Sequence, residues 1–162
     1  MTTRKVESAT QAEPAWLAIA RQYDGLRENS VRGQELIPEF FRMAGVAGDH
    51  TDAWCGAYAS WCMRQAGIEP PKVGARARNW LSWGETLLGP RYGCVVVFRR
   101  PDPQPKTGSK RTYHRGLGHV AFLIEQHDIY TEAYGGNQMS RVCRADYPTD
   151  DILGFRWPEG VP

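Results

Sequence analysis

DAWCGAYASWCMRQAG, residues 52–67, is the stretch on which the fold turns. Trp54, Tyr58, Trp61, Cys62 and Gln65 recur there at helical spacing, which gives one helix face its aromatic bulk. Asp52 is the expected N-cap and Gly67 the expected C-terminal stop. With that cap, Cys55 falls at the third position of the first turn. Unpaired N–H groups and the positive end of the helix favour a thiolate over a thiol there.

Toward the N-terminus, residues 1–13 read as a polar, disordered tail. Pro14 opens a helical pattern of Trp16, Leu17, Ile19, Ala20 and Tyr23. A second helix is expected over Glu35–Met43, with Pro38 in its first turn. Toward the C-terminus, Ala75–Trp83 reads as a fourth helix, with Trp80 and Trp83 one turn apart. From Gly93 the pattern becomes that of a sheet. Val95–Phe98 is a buried strand, and His119–Gln126 and Ile129–Tyr134 form a hairpin turning at His127-Asp128. Ser140–Ala145 and Ile152–Trp157 then complete a short antiparallel meander. Helices first and strands second make a single α+β domain over residues 14–158, its helices packed on the meander.

The chain has 162 residues and is 41% hydrophobic, enough for one core and too much for a disordered chain. Its formal charge of +2 is too small to imply a nucleic-acid partner. Residues 99–115 hold six Lys/Arg against Asp102 alone, so the 101–117 segment reads as a flexible basic loop. Cys55, Cys62, Cys94 and Cys143 do not form a disulfide framework. Seven residues along a helix, Cys55 and Cys62 are about 10 Å apart, beyond the reach of a disulfide.

Cys55 is the one cysteine with electrostatic help, and a nucleophile needs a base. Of the four histidines, His119 alone opens a strand, with apolar residues behind it to hold the ring. A turn on His127-Asp128 sets His119 opposite Gly136 and Asn137 beside it across the ladder. A carbonyl at Asn137 would accept the imidazole Nδ1–H and leave Nε2 for the sulfur. This reading requires that sulfur to be open to solvent. Trp54, Trp80 and Trp83 are candidates for a substrate groove, although periodic tryptophans also serve as core.

With these blocks in place, the chain resembles the CHAP/NlpC-type, papain-like peptidoglycan hydrolases. The blocks are residues 14–20, 54–62, 77–84, 95–98, 118–122, 135–138 and 153–158, in the family's order. The resemblance implies a papain-like fold and the same triad of Cys55, His119 and Asn137. It further implies cleavage of an amide bond, glycan–peptide or within the stem peptide, by a monomer without metal or cofactor. The family's Gly-Asp before the first long strand is here Gly93-Cys94, and the basic loop is longer than usual. The polar N-terminus lacks the apolar run of a signal peptide. A cytoplasmic product would then need holin-type release or a secretion system to reach the wall or periplasm, and injection would bring an immunity protein as partner. Three other readings stay open: a non-catalytic wall-binding module, an acyltransferase using the same residues, and a zinc site built on His114 and His119. Thr51 and His50 are candidates for a second oxyanion donor.

Overall fold

The computed structural model describes residues 11–101 and 113–162. Residues 1–10 of the expected 1–13 tail and residues 102–112 of the expected basic loop lie outside them. Three α-helices precede the sheet: α1 (Ala15–Arg21), α2 (Val31–Met43) and α3 (Cys55–Gln65). Ala77–Ser82 is a 3-10 turn rather than an α-helix. Six strands follow: β1 (Glu85–Leu87), β2 (Val95–Pro101), β3 (Tyr113–Gln126), β4 (Tyr130–Gln138), β5 (Arg141–Pro148) and β6 (Ile152–Trp157). They form one antiparallel sheet in the order β1-β6-β2-β3-β4-β5. The fold is α+β, as expected. The strands do not end as a simple meander, because β6 leaves β5 and pairs with β2 on the other side. Among the described residues no helix is long and apolar enough to cross a membrane.

Two helix starts differ from expectation. Ser30 caps α2, its hydroxyl accepting from the Gly33 N–H at 2.9 Å, so the helix begins four residues early and Pro38 lies inside it. Helix α3 starts directly at Cys55 with Trp54 as N-cap and no side-chain cap. Asp52 instead accepts from the Asp49 N–H at 2.9 Å. Both extra residues of order on the loop side come from strand pairing: Pro101 pairs with Tyr113, and Arg99 lies over the Tyr113 ring at 3.8 Å. The basic loop is therefore shorter than 101–117 at both ends.

Helix α3 packs on α1 and α2 on one side and on β3 and β4 on the other. Tyr58 donates to the Ala20 carbonyl at 2.7 Å, and Trp16 to the Gly93 carbonyl at 2.7 Å, which ties the first helix to α3 and to the start of β2. Trp16 also meets Trp157 edge-on at 4.9 Å, closing the first helix onto the last strand. Within the expected tail, Glu13 pairs with Arg21. Strand β4 can approach α3 because position 136 is glycine. A Cβ there would stand 2.6 Å from Trp54 Cζ3 and 2.8 Å from Tyr58 Cβ. This close contact sets the end of β4 against the first turns of α3.

Candidate active site

Cys55 is the first residue of α3, so its N–H is one of the donors the helix leaves unpaired. His119 reaches it from β3 and hydrogen-bonds the sulfur, and the Val120 N–H donates to the same atom. Burial is the largest single influence on this thiol and pushes its pKa up. The charge and hydrogen bond of His119, the Val120 N–H and the charge of Arg100 outweigh it, leaving the thiol below its ordinary range. At Cys62 and Cys94 burial outweighs the hydrogen bonds that lower the pKa, and at Cys94 the charge of Arg91 as well. Burial drives Cys62 well up and Cys94 to about 12, and both remain thiols. Cys143 donates its S–H to the Gln138 carbonyl at 3.3 Å. All four cysteines are free.

The residue that holds His119 is Gln138. Its Oε1 lies 2.9 Å from His119 Nε2. The Gln138 amide nitrogen donates to the carbonyls of Ala133 (3.2 Å) and Cys143 (2.6 Å), which fixes the flip of the amide and leaves Oε1 as acceptor. The proton is thus on Nε2, which leaves Nδ1 as the nitrogen available to the sulfur, the reverse of the nitrogen assignment expected from sequence. Asn137 is not the side chain that reaches the ring. It sits in the left-handed region at φ 55 and lines the neighbouring cavity. The register explains the exchange: Phe122 pairs with Tyr134, not Ala133, and Gln126 pairs with Thr131, not Ile129, with a bulge between Leu123 and Glu125. A slip of one residue sends the neighbouring side chain to the site.

Tyr147, on β5, joins the site although no expectation from sequence includes it. Its ring stacks on His119 at 4.9 Å and 26°, with Phe98 behind it at 4.6 Å and 26°. Its hydroxyl lies 3.0 Å from His119 Nε2. No local pattern marks Tyr147; the sheet order brings it in.

A cavity of about 430 Å³ opens on this group, lined by His119, Asn137, Gln138, Met139, Tyr147 and Arg100 among others. Arg100 and Asp146 are exposed at its edge, and Arg99 is held at 2.9 Å by Asp151, whose side chain is nearly buried. Met139, at φ 51, is 68% exposed on the rim. Cys55 does not line this cavity and is only 3% exposed, so the open sulfur expected from sequence is not found. Any reagent or substrate that reached this sulfur would first have to open an approach to it. A larger cavity of about 690 Å³, beside Trp16, Arg91, Tyr92 and Trp157, contains neither a thiol nor an imidazole.

Trp54 and Trp80 have no exposed surface and cannot line a groove. They donate instead to Glu28 (3.0 Å) and to the Gly74 carbonyl (2.8 Å). Trp83 is half-buried, packs edge-on against Trp80 at 4.9 Å and donates to the Glu69 carbonyl. It does not line the cavity beside His119. Thr51 donates both its N–H and its hydroxyl to Asp49, and His50 lies near the same carboxylate, so neither is committed to the sulfur. The side chain of His114, needed for a zinc site, lies outside the described residues.

The thiol chemistry is directly testable. A lowered pKa keeps the thiolate populated below about pH 8.5, where an ordinary thiol is protonated. Iodoacetamide at pH 7 under native conditions is expected to label Cys55 ahead of Cys62, Cys94 and Cys143, and labelling should fade as pH falls through the lowered value. Peptide mass mapping reads the result, and preferential labelling of any other cysteine would contradict the assignment.

Comparison with protein-family models matches the CHAP domain over residues 47–137, more than half of the chain and inclusive of α3, β2, β3 and most of β4. No curated protein and no solved structure matches the chain.

Proposed function

The chain belongs to the CHAP domain family, and on that premise we propose that it cleaves an amide bond of bacterial peptidoglycan through a thioester on Cys55. Hydrolysis of the cell wall is the activity the family carries. The observation that supports a cysteine mechanism is the Cys55–His119 hydrogen bond, with Gln138 anchoring the far side of the ring.

In this reading the Cys55 thiolate attacks the scissile carbonyl. The oxygen that gains charge is met by the Cys55 N–H at the start of α3. His119 Nδ1–H then protonates the leaving amine as the C–N bond breaks. Water adds to the thioester with the same imidazole as base, releasing a carboxylate and restoring the thiol. Arg100 and Asp146 at the cavity edge offer one charge of each sign, which suits a stem peptide bearing both carboxylates and amines.

The test is digestion of purified sacculi followed by mass spectrometry of the soluble fragments. Intact stem peptides with a free N-terminal amine identify a glycan–peptide amidase; shortened or uncoupled peptides identify an endopeptidase. Binding to sacculi without release of any new amine would overturn the proposal in favour of a wall-binding module. Products that carry a captured amine in place of water would make the chain an acyltransferase.

A further inference from the structure

Two oxygens, not one, stand at His119 Nε2: Gln138 Oε1 at 2.9 Å and the Tyr147 hydroxyl at 3.0 Å. We propose that Tyr147 is a positioning residue for the Cys55–His119 pair, its ring fixing the plane of the imidazole and its hydroxyl oxygen sharing the Nε2–H with Gln138. The proposal rests on the thiolate–imidazolium reading above and adds to it a fourth side chain.

The hydrogen-bond inventory decides the direction of the contact. The amide nitrogen of Gln138 already donates to two carbonyls, so Gln138 can only accept from the ring. Nε2 therefore carries the proton, and the Tyr147 oxygen can approach it only with a lone pair. The phenol proton then points away from the ring, on a side chain that also lines the cavity. Burial, followed by the nearby Cys55 and Cys143 sulfurs, pushes the Tyr147 pKa up, so the acceptor is a neutral phenol throughout the working range. Phe98 and Tyr147 stack in sequence behind the imidazole, with Phe98 6.4 Å from it at 29°. The ring is thus held on its face by Tyr147 and on its edge by two oxygens.

Two acceptors on one N–H stabilise the charged imidazole, and a charged imidazole stabilises the thiolate. Removing the phenol oxygen should weaken both. The other charged and titratable groups around the pair are Arg99 and Arg100 from β2, Cys143 and Asp146 from β5, and Asp151 beyond it. Tyr147→Phe alters none of them and keeps the aromatic stack.

The experiment follows the rate of Cys55 alkylation by iodoacetamide against pH in the full chain, with no wall substrate present. In the Tyr147→Phe variant the midpoint of the rising limb is expected to move up by about 0.5–1 pH unit, with the melting temperature little changed. A folded variant whose midpoint coincides with that of the wild type would overturn the proposal. A wild-type midpoint at the ordinary thiol value of about 8.5 would instead sink the thiolate–imidazolium reading itself, so the two failures are distinguishable. A second measurement needs no substitution. The nitrogen-15 shifts of the His119 ring in the wild-type chain are expected to report a protonated Nε2 at neutral pH. An unprotonated Nε2 would mean that Tyr147 donates, and the proposal would fall.

Discussion

Cys55→Ser is expected to lower kcat/KM for wall hydrolysis by about 10⁴- to 10⁶-fold, the range seen when a covalent nucleophile is removed. The substitution exchanges one buried atom, sulfur for oxygen, at the first position of α3 and adds no bulk there. The fold should therefore survive, with a melting temperature close to that of the parent chain. The reactivity should not, because a hydroxyl beside His119 stays protonated where the Cys55 thiol is lowered by the imidazole, the Val120 N–H and Arg100. If Cys55 and His119 act as a unit, the Cys55→Ser/His119→Ala double variant will be scarcely slower than Cys55→Ser alone. Dye release from labelled sacculi gives the rates, and circular dichroism confirms folding. More than one hundredth of parental activity in folded Cys55→Ser would remove the sulfur from the mechanism.

Much of this site could be read from residues 52–67 and 118–138, and what could not be read has specific physical causes. The α3 helix and the strand Ile152–Trp157 follow from periodicity, and the structure has both. The N-cap differs from the expected Asp52 because Trp54 adopts that role through its backbone alone, at φ −104 and ψ 10, with no side chain to signal it. Cys55 consequently sits nearer the helix mouth than the sequence implies, which strengthens the case for a thiolate. The sequence points to Asn137 where Gln138 meets the ring, one residue on, because a hairpin register is set by turn length and bulges, neither of which composition reveals. The fully buried Gln138 beside the left-handed Asn137 is the consequence. Tryptophan at helical spacing is equally compatible with a groove and a core. Only the burial of Trp54 and Trp80 separates the two. Tyr147 lies 28 residues from His119, and nothing short of the sheet order brings them together.

Gly56→Ala, one residue beyond Cys55, is expected to be strongly damaging for a change of a single methyl group. An added Cβ would stand 2.3 Å from the Gly74 carbonyl oxygen and 2.6 Å from that of Ala75. Both are backbone atoms, so no rotamer change relieves the clash, and either α3 or the 74–75 segment must move. That segment is itself tied down: Trp80 donates to the same Gly74 oxygen, and a Cβ on Gly74 would meet Ser60 Oγ at 2.2 Å. Overpacking of this kind costs about 2–3 kcal/mol, and in a domain of this size that lowers the melting temperature by about 5–10 °C. The same displacement shifts the first turn of α3 relative to β3, and with it the sulfur relative to the imidazole. Activity per folded molecule should therefore fall by at least about 10²-fold, the scale on which a misplacement near 1 Å is felt. Gly89→Ala is the control, since a Cβ there meets nothing within 4 Å, and it should match the parent in both respects. Thermal melts and single-turnover rates on folded protein separate the two effects. If Gly56→Ala melts with the parent, the tight seating of α3 against residues 74–75 is wrong. If it is destabilised yet fully active once folded, the position of the Cys55 sulfur does not depend on that seating.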